Sequence, residues 1–368
     1  MNIAYFIDHL RPDGTQTVLY QLVKGLATRG HDQTVICLND SWDGTLVDRL
    51  RAVGADVRIV GKLALVGGYG LVSVWSWLRN GRFDVAITLL FVSDVVGRAM
   101  AKFGGVPRIV SSIRTRNVDY SLLQRWLVRA TMGFADAVIV NSSYVRRFAI
   151  DEEGARPDRV FFIPNGVRVE DYTNPINRAL VRADMGLSVQ GRVLGTIGRL
   201  TWQKGFDVLL HALSLIHRED LDLLIFGVGE EETRLRTLAT KLSLQERVHF
   251  VGYRHNIHEL LSAMDLYVHP ARFEGMPNAV VEAMAAARPI VATSVDGNRE
   301  LVEDGNHGWL VPPDDHKALA KAIQEALSDP EEAQRRGAAA RQRVATHFGV
   351  EAMILAWETI LVGRQMGS

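Results

Sequence analysis

Short apolar runs separated by helical patterns recur along the whole chain, and this alternation constrains the architecture more than any other feature. Residues 3–7, 34–38, 57–60, 85–89, 108–111, 137–140 and 160–163 are runs of this kind, with a helical stretch over 15–29 and further helical patterns in most gaps. Their Val, Ile and Leu positions are consecutive instead of alternating, as strands buried on both faces require. Strands and helices in turn imply α/β architecture, a parallel sheet covered by helices. A second series follows at 193–197, 223–226, 248–251, 266–268 and 290–293. Between the two lie Pro164-Asn165-Gly166 and the polar stretch Asp171-Tyr172-Thr173-Asn174-Pro175, a turn followed by a linker.

The expected fold is therefore two tandem doubly wound, Rossmann-like domains, 1–168 and 169–349, with ligands received in a cleft at the carboxyl ends of the sheets. A chain of 368 residues suits two such cores. Residues 350–368 begin as a helix on which Met353, Ile354, Trp357, Ile360 and Leu361 form one apolar stripe. That helix is expected to pack on a domain, with a return to the first as one option.

Charge narrows the function. The formal net charge is zero, which argues against a general nucleic-acid binder, but the first 170 residues hold 21 Lys and Arg against 16 Asp and Glu. An excess of five suits a half that meets an acidic acceptor or an anionic membrane surface. The single cysteine, Cys37, rules out an internal disulfide and reads as a buried strand residue. The start shows no secretory leader, and the apolar window 85–96 is broken by Asp94 and too short to span a bilayer. A cytoplasmic protein is expected.

Two segments carry chemistry. In Gly198-Arg199-Leu200-Thr201-Trp202-Gln203-Lys204-Gly205, a strand passes into a helix through a glycine-flanked loop with two cations five positions apart. A diphosphate calls for that pairing: a planar guanidinium and a point charge to hold its oxygens as they gain charge. The other segment runs Phe273-Glu274-Gly275-Met276-Pro277-Asn278 and on through Glu282. Pro277 suits the first position of a helix, so Gly275 to Asn278 read as a loop and helix N-terminus able to receive an anion or sugar hydroxyls. Were 274–282 helical throughout, eight steps of about 100° would leave Glu274 and Glu282 within about 80° of each other.

Together these segments resemble the retaining glycosyltransferases of the GT-B fold that carry the E-x7-E motif, glycosyltransferase family 4. The resemblance covers nearly the whole chain. Ile163-Pro164-Asn165-Gly166-Val167 is similar to the family's domain-junction motif, and Phe226-Gly227-Val228-Gly229 to the turn after its next strand. Glu300-Leu301-Val302, Asp304-Gly305 and Gly308-Trp309-Leu310-Val311-Pro312-Pro313 resemble its C-terminal block. The resemblance implies transfer of a sugar from a UDP- or GDP-linked donor to a glycan or lipid-linked acceptor, in cell-surface polysaccharide or glycolipid synthesis, by front-face substitution without metal or cofactor. It assigns Arg199 and Lys204 to the diphosphate, Glu274 to the donor sugar and Glu282 to the ribose. Gly14, Gly198, Gly252, Tyr253, Gly275, Met276, Pro277 and Asn278 would complete the donor site.

Two departures from the family pattern fall in the first domain. Asp13-Gly14 stands where a Gly-Gly pair is usual, and Ile113-Arg114-Thr115-Arg116-Asn117 replaces a segment that commonly holds a histidine. Arg114, Arg116 and Asn117 are acceptor-side candidates: they could bind an anionic acceptor, brace the phosphate, or form a solvated basic turn. Amphipathic stretches around Trp75 and Trp77, and around Leu122, Leu123 and Trp126, either pack on the sheet or meet a membrane interface. Asp220-Leu221-Asp222 reads as a solvated turn, and His255 and His258 lack a third ligand for a metal. Gly227-Val228-Gly229 lacks the third glycine of a dinucleotide fingerprint. Rivals on the same fold are a nucleotide-sugar epimerase or a phosphorylase; a rival of another class is a non-catalytic nucleotide-sugar-binding subunit.

Overall fold

The computed structural model describes residues 1–11, 13–115, 120–174, 176–188, 190–254 and 256–363. They form two compact units: residues 1–166 with the helix from Val350 onward, and residues 167–349.

The first unit is built on a seven-stranded sheet: β1 (Asn2–Ile7), β2 (Asp32–Cys37), β3 (Asp56–Ile59), β4 (Val85–Leu89), β5 (Arg108–Ile113), β6 (Ala137–Val140) and β7 (Val160–Phe162). Its order is β3-β2-β1-β4-β5-β6-β7, with every pair parallel. The central strands β1 and β4 are buried along all but the first residue of β1, so their sequence runs of Val, Ile and Leu follow from helices lying on both faces. Cys37 is buried, as a strand residue should be.

The helix Val350–Leu361 is part of this unit. Its Met353, Ile354, Trp357, Ile360 and Leu361 enter the core beside Val18, Leu22 and Leu26 of the helix Gly14–Ala27. Gly25 makes room for Ile354: a Cβ there would lie 2.1 Å from its Cδ1. Glu358 then pairs with Arg29 at 3.0 Å and His31 at 2.7 Å.

Between β4 and β5 the chain makes a π-helical turn, Ser93–Gly97. The Asp8 carboxylate accepts from the Val92 and Ser93 N–H groups at 2.9 and 2.7 Å. Asp94, which breaks the apolar run in the sequence, is nevertheless buried; Arg98 pairs with it at 3.0 Å, and Thr88 donates to it at 2.6 Å. A buried carboxylate needs such compensation.

The second unit has a six-stranded parallel sheet: β8 (Arg192–Ile197), β9 (Leu221–Phe226), β10 (Val248–Gly252), β11 (Leu266–His269), β12 (Ile290–Thr293) and β13 (Trp309–Val311), in the order β10-β9-β8-β11-β12-β13. The strand order reverses between β8 and β11, and that switch point is where open sheets of this kind bind ligands. The loop after β8 carries Arg199 and Lys204, and the loop after β11 carries Glu274. Strand β13 is a surprise of the structure: three residues carry too weak a pattern to read as a strand.

Both tryptophan-rich stretches turn out to be helices with two faces. Tyr69–Gly81 buries Val74 and Leu78, yet leaves Val72 and Trp75 66% and 44% exposed. Leu122–Met132 buries Val128 and Met132, while Leu122, Leu123 and Trp126 stand in solvent.

Candidate functional site

Backbone contacts fix the loops at the carboxyl edge of the second sheet before any side chain acts. Gly198 N–H donates to the Phe226 carbonyl at 3.0 Å, Leu200 N–H to Val228 at 3.0 Å, and Gly227 N–H to Gly252 at 2.9 Å. Arg272 N–H reaches the Gln203 carbonyl at 2.8 Å, and the Gln203 amide returns to the Phe273 carbonyl at 3.0 Å. This ties the loop of Lys204 to the loop of Glu274. Glycine is required where these backbones touch: Gly227 has φ +138°, and a Cβ there would lie 1.9 Å from the Gly198 carbonyl oxygen. Gly227→Ala is expected to destabilise the unit by about 1–3 kcal/mol, the cost of a side chain forced into such a conformation. Urea denaturation would measure it, and an unchanged midpoint would show that the loops can slide apart.

Within this frame Lys204 pairs with Glu274 through Oε1, and the Lys204 stem lies along Gly198. His269, the last residue of β11, places its Nε2 3.3 Å from the same Oε1, and its Nδ1 is 3.2 Å from the Tyr267 hydroxyl. Burial pushes the Glu274 carboxyl up, but the Lys204 charge and the His269 contact outweigh it and hold it at about 2. His269 goes the other way: burial lowers it, and Glu274 only partly restores it. Glu274 is therefore a fixed anion beside a neutral imidazole. His269 was not among the residues singled out from sequence; its only signal was a polar residue closing a buried strand next to Pro270.

Glu282 lies on the helix Asn278–Ala285, and its carboxylate has no hydrogen-bond partner among the described residues. Burial alone raises its carboxyl to about 7. The helical-wheel estimate for Glu274 and Glu282 does not apply, because the helix starts at Asn278 and Glu274 sits in the preceding loop. Pro277 is the cap and not the first helical residue, and no side chain caps the helix. Having no N–H, Pro277 cannot donate, and the Met276 side chain is buried in the core. Gly275 packs its carbonyl against Gly297, where a Cβ would lie 2.2 Å away. Arg199 and Tyr253 are exposed at the same edge, and Gly252 ends β10 with φ +77°.

The remaining candidates belong to the first unit. Asp13 caps the helix Gly14–Ala27, its carboxylate accepting the Gly14 N–H at 2.7 Å, so that this N–H is engaged within the turn. Arg114 is no simple solvated turn. Its Nη2 donates to Asn165 of the Pro164-Asn165-Gly166 turn at 2.5 Å, its Nε and Nη1 are buried, and its carbonyl accepts from Asn141 at 3.1 Å. Arg116 and Asn117 lie outside the described residues, as does His255. Asp220 is held by Arg218 at 2.8 Å and Asp222 by His249 at 2.8 Å, at the amino end of β9 and away from these loops. Among the described residues no three His, Cys, Asp or Glu side chains gather as metal ligands, and no helix is long and apolar enough to cross a membrane.

Known proteins share this plan. Residues 177–343 match the model of "Glycosyl transferases group 1", and residues 12–171 that of "Glycosyltransferase Family 4". An uncharacterized glycosyltransferase of Haemophilus influenzae is 30% identical over 363 residues, 98% of this chain and 99% of its own length. The chain belongs to the family 4 glycosyltransferases. Another relative of this glycosyltransferase, the UDP-Gal:alpha-D-GlcNAc-diphosphoundecaprenol alpha-1,3-galactosyltransferase of Escherichia coli, is 27% identical over 271 residues, 70% of each chain. Among solved structures, Anabaena HepE in complex with UDP and glucose superposes with a TM-score of 0.88 at 24% identity, over 98% of this chain and 99% of that one. Such neighbours establish the GT-B fold of the enzyme.

Proposed function

We propose that this glycosyltransferase takes a sugar from a nucleoside-diphosphate donor and passes it, with retention and without metal, to a glycan or lipid-linked acceptor in cell-surface polysaccharide synthesis. The observation that carries the reading is the Lys204–Glu274 pair with His269 against it at the switch point, followed by a helix that carries the unpaired carboxylate of Glu282. Arg199 and Lys204 would hold the diphosphate, Glu274 the donor sugar and Glu282 the ribose. As the bond from C1 to the phosphate oxygen breaks, its electron pair goes to the diphosphate. The two cations stabilise that charge in the manner of an oxyanion site. The acceptor oxygen attacks C1 from the same face, and its proton passes to the departing phosphate oxygen.

The UDP and glucose bound by HepE, and the UDP-galactose and diphosphoundecaprenol named for the E. coli relative, support a uridine donor and a lipid-linked acceptor. An epimerase or phosphorylase is not favoured, since the relatives named above are glycosyltransferases. A panel of UDP-glucose, UDP-galactose, UDP-N-acetylglucosamine and GDP-mannose would test the reading. One of them should raise the melting temperature and then be consumed with acceptor in the presence of EDTA. No shift with any of the four refutes it.

A cytoplasmic location at the inner membrane face belongs to the same proposal. Leu122, Leu123 and Trp126 are 86%, 65% and 63% exposed, beside Arg125 and Arg129 on one helix. Apolar and basic side chains presented together suit an anionic lipid interface. Replacing all three apolar residues by serine is expected to reduce sedimentation with phosphatidylglycerol vesicles at least fivefold. Unchanged sedimentation removes this helix from membrane contact.

A further inference from the structure

We infer that the first unit carries an oxyanion subsite built on Arg114, and that it receives a phosphate group of the acceptor. This assignment rests on the transfer reading above and adds the chemistry by which the acceptor is chosen. Strands β5, β6 and β7 end side by side, with Ile113 opposite Val140 and Val140 opposite Phe162. Arg114 and Asn141 are the next residues along, and Asn165 lies just beyond β7. They stand at the carboxyl edge of the sheet, the side on which open sheets of this kind receive ligands.

The register puts the polar groups on one face. Ser112 pairs with Ile139, and the alternation of strand side chains sets Arg114 and Asn141, each two positions on, on that same face. Arg114 is held from both ends: Nη2 donates to Asn165 at 2.5 Å, and the Asn141 amide donates to the Arg114 carbonyl at 3.1 Å. The rest of the cluster is left open. Nε and Nη1 of Arg114, Oγ of Ser112 and Oδ1 of Asn141 are all buried, and none has a hydrogen-bond partner among the described residues. No carboxylate pairs with Arg114 there either. Burial lowers its guanidinium to about 9, so it stays charged at neutral pH.

A cation taken out of water without a counter-ion is costly, and orphaned buried donors are rare in native proteins. The same unit shows the usual remedy: buried Arg98 has Asp94 at 3.0 Å. Arg114 has no such partner, and an anionic ligand supplies one. Its open Nε and Nη1 lie on different edges of a planar fork and so address different oxygens of a phosphate. The Ser112 hydroxyl adds a donor, and Asn141 Oδ1 can accept from a sugar hydroxyl beside the phosphate. In the donor reading the diphosphate of the nucleotide already has Arg199 and Lys204. Arg114 therefore falls to the acceptor, and a neutral glycan would leave it unpaired.

Undecyl diphosphate and undecanol are the probes, titrated into the enzyme in saturating UDP, or GDP if the panel selects it. The wild type should bind the diphosphate at least tenfold more tightly than the alcohol, a comparison that does not depend on how any variant folds. In Arg114→Gln we expect the diphosphate affinity to fall at least tenfold, as for a lost buried charge partner. Its affinities for undecanol and for UDP should stay within twofold of wild type. Arg114→Lys, which restores the charge without the fork, should lie between. Ser112→Ala should cost roughly threefold, the loss of one hydrogen bond. Equal binding of the two probes by the wild type, or an unchanged diphosphate affinity in Arg114→Gln, overturns the subsite. A loss that falls on UDP instead gives Arg114 to the donor and overturns the acceptor assignment. Failure of the wild type to bind any nucleotide sugar would defeat the donor reading, while the two probes, titrated without nucleotide, still test the subsite.

Discussion

Lys204→Ala is expected to slow sugar transfer by about two to three orders of magnitude, the usual loss when one donor that stabilises developing charge is removed. It should also unfold more easily than the wild type. The side chains of Lys204 and Glu274 are 18% and 9% exposed. Removing one partner of such a pair strands the other and costs roughly 3–5 kcal/mol; the remaining His269 contact places the expected value at the lower end. The pH dependence has a definite sign. Glu274 sits at about 2 in the folded protein against an ordinary 4.5, so the stability it contributes is complete above pH 4.5 and is lost as pH falls toward 2. The gap between variant and wild type in urea melts should therefore narrow below pH 4.5. Adding Glu274→Gln to Lys204→Ala should recover stability but no activity. Near wild-type turnover in the single variant would take Lys204 out of the phosphate site.

Nucleoside diphosphate binding is expected to weaken about tenfold for each pH unit below 7. Burial raises Glu282 to about 7, so without nucleotide its carboxyl is expected to be partly protonated at neutral pH. Ribose hydroxyls donating to the carboxylate favour its charged form, and binding must then expel the proton. Titrating UDP into the enzyme in buffers of different ionisation enthalpy should show release of nearly one proton at pH 6 and little at pH 8.5. Glu282→Gln should bind more weakly at high pH and lose the dependence. Proton uptake on binding, or a flat profile in the wild type, would remove the ribose from this carboxylate. Without ligand the linkage runs the other way: a raised carboxyl favours the folded state at lower pH, and its contribution is lost between pH 4.5 and 7 as pH rises.

The parallel sheets were legible because each inner strand is buried on both faces, which writes an uninterrupted apolar run; 85–89 and 290–293 are read to the residue. Strand β13 escaped because three residues cannot establish a period. Asp94 looked like the end of an apolar window because sequence does not show Arg98 and Thr88 closing on it. The cations of the loop after β8 and the two glutamates stood out through their spacing and their family resemblance. His269 did not, since its meaning lies in Tyr267 beneath it and in the way the loop directly after β11 folds the Glu274 carboxylate back toward it. Arg114 could be read as an acceptor-side cation, a phosphate brace or a solvated turn, because sequence does not show its tie to Asn165, fifty-one positions away.

The return of the helix Val350–Leu361 to the first unit has a consequence for synthesis. As the chain leaves the ribosome, residues 1–166 emerge with part of their core missing, because Trp357 and its neighbours are nearly two hundred codons downstream. Residues 167–349 are continuous and can close on their own while translation proceeds. The half made first is thus the half finished last. A nascent chain halted before Val350 would carry one completed unit and one with an open seam along Val18, Leu22 and Leu26, the surface that a chaperone or a protease meets.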